Sequence, residues 1–105
     1  MHPTLNIDTA THAGLRTVLT ITGALDTDTV PHITEATEPL TLSGRTLVLD
    51  LAAVTFMDSS GLNTLLTLRN RVEAEQGLLE LRRLPDQALR LLDLTGARAL
   101  FTLTP

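Results

Sequence analysis

The chain has no cysteine, tryptophan, tyrosine or lysine, and its only aromatic residues are Phe56 and Phe101. Without cysteine there can be no disulfide and no thiolate metal site. With two aromatics, any core must be built mostly from Leu, Val, Ile and Ala. A chain of 105 residues buries roughly 65% of its unfolded surface, enough for one independent core, so residues 1–105 read as a single domain. No apolar run approaches the roughly 18 residues needed to span a bilayer. Met1-His2-Pro3-Thr4 lacks the basic and apolar segments of a signal peptide. The sequence therefore reads as cytoplasmic, with no membrane partner. Every basic residue is Arg, the net charge is −4, and Arg82-Arg83 is the single basic pair, which argues against nucleic-acid binding. His2, His12 and His32 match no metal-ligand spacing. No metal and no cofactor is expected.

What the chain does have is concentrated in Thr46 to Gly77. Leu47, Val48, Leu49 and Leu51 form a nearly continuous apolar run, the pattern of a central strand covered on both faces. Ala52 to Met57 is expected to carry the chain to the sheet edge, where Asp58-Ser59-Ser60-Gly61 leads into a helix. From Leu62 the period changes, and Leu62, Leu65, Leu66, Arg69 and Val72 share one helical face. Gly77 stands where a helix would end on a positive-φ residue.

Around this unit the remaining elements can be read in order. Thr4 to Asp8 and Arg16 to Thr22 are two strands joined by a turn at Ala13-Gly14, the second with Val18, Leu19 and Ile21 toward the interior. Gly23-Ala24-Leu25-Asp26 closes the second strand. A short helix capped by Thr27, Asp28 or Thr29 follows, with Pro31 in its first turn, ending before Pro39. Leu78 to Leu84 is a strand with Leu79 and Leu81 inward. Asp86 caps a third helix that ends at Gly96, and Ala99 to Leu103 is the last strand. The order β-β-α-β-α-β-α-β predicts an α/β fold: a mixed sheet with an N-terminal hairpin and helices packed mainly on one face.

The residues at the join carry the chemistry. Ser59 and Ser60 can accept hydrogen bonds from the free N–H groups of a helix's first turn, and Asp58 places a carboxylate near the positive end of the helix dipole. A hydroxyl just past a strand end faces partners, and a phosphate added to it would face free N–H donors. The same four residues also make an ordinary helix cap.

Three blocks, Gly23-Ala24-Leu25-Asp26, Phe56-Met57-Asp58-Ser59-Ser60-Gly61-Leu62 and Leu91-Leu92-Asp93-Leu94-Thr95-Gly96, stand in an order and on elements that resemble the STAS domain, most closely its bacterial anti-sigma factor antagonists. The resemblance covers almost the whole chain. It implies a switch protein rather than an enzyme. The unmodified form would bind an anti-sigma factor that is also a GHKL-type serine kinase, freeing the sigma factor. That kinase would phosphorylate the serine after the motif's Asp, here Ser59, and so end binding. A phosphatase acting on phosphoserine would restore it. The resemblance carries over Asp26 as a partner-facing residue, with a helix cap as its alternative. Ser60 orients the loop, caps the helix or serves as second phosphoacceptor. Gly61 allows close backbone approach, and Met57 and Leu62 add apolar contact or pack in the core. With Asp58, these residues form the expected partner surface. Ala24 and Asn63 depart from the family's usual acidic and small residues, and the chain stops at Pro105 where relatives often continue into a helix. The protein is expected to be a monomer or weak dimer. The rival reading is an unphosphorylated STAS docking subunit of a stress-signalling or transport assembly. A hydrolytic Ser59 is disfavoured: there is no Gly-x-Ser-x-Gly elbow and no His follows the serine.

Overall fold

The helices cannot alternate between the two faces of this sheet, because each crossover moves one strand further in the same direction. A computed structural model describes residues 5–105. Its five-stranded sheet runs in the order β1-β2-β3-β4-β5, formed by β1 (Asn6–His12), β2 (Arg16–Leu25), β3 (Thr46–Met57), β4 (Leu78–Arg82) and β5 (Thr102–Thr104). β1 pairs antiparallel with β2, and the remaining pairs are parallel. The three crossovers carry α1 (Val30–Thr37), α2 (Ser59–Ala74) and α3 (Asp86–Thr95). Right-handed crossovers stepping one way put all three helices on one side. The shortest molecular axis, 22 Å, suits one sheet and one helical layer.

Period-two alternation decides which side chains meet the helices. Leu19, Ile21, Leu47, Leu49, Leu51, Leu79 and Leu81 point into that layer and pack with Ile33, Leu65, Leu68, Val72 and Leu92 in one buried cluster. Leu79 and Leu81 lie inward as the sequence pattern required. Val18 does not: it pairs with Val48 on the opposite face and is only half-buried. In its place Thr17 is buried beside Leu19.

Val48 is fully buried although no helix covers its face. On that face Arg16 of β2 and Glu80 of β4 form an ion pair at 3.2 Å that reaches across β3.

Several boundaries shift from the sequence expectation, each for a local reason. The first strand continues to His12 because the turn at Ala13-Gly14, with φ of 55° and 70°, lets the hairpin pair along its full length. Thr4, its expected start, lies outside the described residues. Ala52 to Met57 is strand rather than a crossing segment, since β2 extends to Leu25 and keeps pairing with it through two register shifts. Gln76, not Gly77, carries the positive φ after α2. Gly77 is required for space: a Cβ there would lie 2.6 Å from the Arg45 carbonyl oxygen and 2.7 Å from that of Leu42. Pro85 occupies the cap position of α3, and Asp86 is its first residue without a side-chain capping bond. Gly96 ends that helix with φ 71°, as anticipated. Ala99 to Leu103 divides into a 3-10 turn over Arg98–Leu100 and the short β5.

Candidate functional site

The C-terminal ends of β2 and β3 place two acidic turns side by side. Leu25 is opposite Met57 in the parallel register, so the chain leaves both strands at the same level. The Asp58 N–H donates to the Leu25 carbonyl at 3.1 Å, fixing the second turn to the first strand. A hydroxyl–hydroxyl hydrogen bond of 2.8 Å between Thr27 and Ser60 closes the two turns together.

Asp58 is the cap of α2. Its backbone is extended, and its Oδ1 accepts from the N–H groups of Ser60 at 2.9 Å and Gly61 at 3.1 Å. This corrects the expectation that Ser59 and Ser60 serve as the acceptors. Two of the donors a phosphate was expected to meet are therefore already taken by a carboxylate. Ser59 is the first residue of the helix. It is exposed, and its hydroxyl has no hydrogen-bond partner among the described residues. Ser60 is half-buried and spends its hydroxyl on Thr27.

Asp26 folds the other turn. Its Oδ1 accepts from the N–H groups of Asp28 at 3.0 Å and Thr29 at 3.2 Å, the pattern by which a short side chain stands in for a backbone turn. Thr29 is buried below, donating its hydroxyl to the Ala24 carbonyl at 2.6 Å. Asp26 remains half-buried at the rim and Asp28 is exposed. Three carboxylates, Asp26, Asp28 and Asp58, thus lie on the two joined turns, the second of which leads into Ser59.

The apolar members of the expected surface lie inside. Met57 is 0% exposed and Leu62 6%, so both pack in the core and neither offers side-chain area to a partner. Gly61 is buried as well. The close approach it permits is intramolecular: a Cβ on Gly61 would sit 2.6 Å from the Leu25 carbonyl oxygen and 2.9 Å from Met57 Cγ. Glycine is what lets α2 start directly against the end of β2.

Two residues at this end were not singled out from the sequence. Phe56 is opposite Ala24 and 48% exposed, an aromatic surface three positions before Ser59. Its neighbour Met57 is inward, and only the register reveals which of the two faces solvent. Gln87 of α3 accepts from the Met57 N–H and donates to its carbonyl, both at 2.8 Å. β4 pairs with β3 only as far as Asp50, so the Gln87 amide replaces the missing strand partner and holds the site's platform. Nothing in the sequence distinguishes such a Gln from a solvated one.

From Ser60 a groove of about 650 Å³ runs between α1 and α2, floored by Val30, Ile33 and Leu68. Arg71 closes it, donating to the Thr37 and Leu40 carbonyls at 2.8 and 2.9 Å. No three His, Asp or Glu side chains among the described residues group as metal ligands, and no described helix is long and apolar enough to cross a membrane.

Comparisons with known proteins agree with this architecture. The STAS domain family model matches residues 6–105. The chain is 33% identical over 78 residues to an anti-sigma-B factor antagonist of Bacillus subtilis strain 168, covering 74% of this chain and 72% of that protein. Its structure is similar to that of an anti-sigma factor antagonist from Mycobacterium paratuberculosis, with TM-score 0.83 and 27% identity over 97% of this chain and 86% of the other. The fold is also that of SpoIIAA of Bacillus in its phosphorylated form, at TM-score 0.73 and 20% identity, covering 95% of this chain and 91% of that one.

Proposed function

The chain belongs to the STAS domain family, and from that premise we propose that it is an anti-sigma factor antagonist switched by phosphorylation of Ser59. The unmodified turn pair, with Ser59, Ser60, Asp26 and the exposed Phe56, docks an anti-sigma factor and so frees a sigma factor. The anti-sigma factor is a serine kinase of the GHKL type. The Ser59 Oγ takes the γ-phosphoryl group of ATP and ADP leaves. A phosphoserine phosphatase resets the protein. The protein is the substrate in this cycle and not the catalyst.

The observation that carries this reading is the Ser59 hydroxyl itself: exposed, unpartnered and first on the helix, directly after the Asp58 cap. The switch then follows from charge. A phosphoserine adds about −1.5 to −2 charges to the joined turns that carry Asp26, Asp28 and Asp58. With the Ser60 and Gly61 N–H groups already bonded to Asp58, the cap has little left to neutralise the new charge. A partner surface shaped for a neutral hydroxyl meets like-charge repulsion. Rigid hydrogen bonds on both turns let this happen with no change of fold.

Intact-mass and peptide mass spectrometry after incubation with ATP and an anti-sigma serine kinase tests the reading. One phosphate is expected, mapping to Ser59, lost in Ser59→Ala and kept in Ser60→Ala. A phosphate on Ser60 alone would move the switch to that residue, and none while the unmodified protein still binds the kinase would replace the switch with a constitutive docking module.

A further inference from the structure

β1 is an edge strand, and nothing among the described residues lies on its outer side. It pairs with β2 without interruption from Asn6–Thr22 to His12–Arg16. Every residue but Ile7 is exposed. Edge strands are ordinarily guarded by charged side chains, above all Lys, by Pro or by a bulge; β1 carries a single acidic residue, Asp8, and neither Lys, Pro nor a bulge. Its backbone polarity follows from the hairpin: the His12 carbonyl accepts from Leu15 N–H and so faces β2. Direction alternates along an antiparallel strand, so Ala10 and Asp8 also face β2, while Ile7, Thr9 and Thr11 present N–H and C=O groups outward.

We propose that β1 is a self-association edge through which two copies pair antiparallel about a twofold axis at Ala10, joining their sheets into one. The sequence of the strand selects this register. Outward-facing residues must oppose outward-facing residues, which leaves axes at Thr9 or Ala10 in the middle of the strand. An axis at Thr9 sets Asp8 against Ala10 and His12 against Asn6. An axis at Ala10 sets Asp8 against His12 of the second copy, twice by symmetry, and Thr9 against Thr11. The Asp8–His12 positions are then the non-hydrogen-bonded ones, where side chains come closest. An imidazole N–H donates to the carboxylate in either tautomer. Arg16, beside His12 on β2, is held by Glu80 and adds positive potential toward the same carboxylate. The twofold axis stands normal to the sheet, so both helical layers lie on one side and both Ser59 sites remain open. The contact is narrow compared with the roughly 1,200 Å² of a standard interface, so the dimer dissociates on dilution.

Sedimentation velocity of the full chain over a dilution series tests this independently of Ser59. The wild type is expected to show a concentration-dependent monomer–dimer equilibrium. Asp8→Arg and His12→Asp should each weaken it on the order of tenfold by unpairing two cross-strand contacts, and the double variant D8R/H12D should restore it. Thr9→Pro removes an outward N–H that β2 does not use and should leave a monomer with unchanged far-UV circular dichroism. A wild type monomeric at every concentration overturns the proposal. So does a dimer indifferent to the charge reversals, which would place the contact on another face.

Discussion

Gly61 shows how a single residue can be read correctly as special and wrongly as to why. Helix propensity favours Ala over Gly by about 1 kcal/mol. Overpacking costs about 1–3 kcal/mol, and here the obstruction includes a backbone carbonyl 2.6 Å away, which cannot rotate aside. Packing therefore wins, and Gly61→Ala is expected to lower the urea midpoint with an unchanged slope. A stabilised variant would mean that α2 can slide away from β2. Ser59 was legible from its neighbours, because Asp-Ser-Ser-Gly before an amphipathic run marks a helix start. The split between an exposed Phe56 and a buried Met57 was not, because it depends on register shifts within β3 that composition does not encode.

At the scale of elements, α2 depends on its cap. Asp58→Ala leaves the Ser60 and Gly61 N–H groups without their acceptor and should cost about 1 kcal/mol of stability. Ser59→Ala, which removes an exposed and unpartnered hydroxyl, should stay within about 0.5 kcal/mol. Chemical denaturation of the two variants side by side separates these roles, and equal losses would return Ser59 to the cap. The order of elements was legible because period two and period 3.6 alternate cleanly along the chain. Their ends were less so. β3 runs to Met57 because β2 and Gln87 supply partners from distant sequence, and the last strand shrank where Arg98–Leu100 turned instead.

For the molecule as a whole, acid stability has one clear contributor. Asp50 is 5% exposed on the face opposite the helices. Burial alone would raise its pKa, but the bond from the Arg83 guanidinium, the Ala52 N–H and the charges of Arg83 and Arg82 together hold it below its ordinary 3.8. The folded state thus binds this proton less readily than the unfolded chain. The stabilisation is present above the unfolded pKa and is lost as pH falls through the lower, folded one. Asp50→Asn is expected to be less stable at neutral pH and to show a shallower loss below pH 3.8 in a series of thermal melts. An acid limb identical to the wild type would assign the loss to other carboxylates.

Local sequence determined the alternation of strands and helices, the inward Leu79 and Leu81, the helix stop at Gly96 and the exposed serine after an acidic residue. Each of these rests on interactions within a few residues, which a linear pattern records. Tertiary structure alone decided that Asp58 rather than a serine caps α2, that Met57 and Leu62 belong to the core, that an Arg16–Glu80 ion pair spans β3, and that the Asp26 turn is joined to the Asp58 turn. Those outcomes depend on which strand ends lie level and which side chains reach across them. Such relations are set by sheet register and crossover direction, through contacts between residues tens of positions apart.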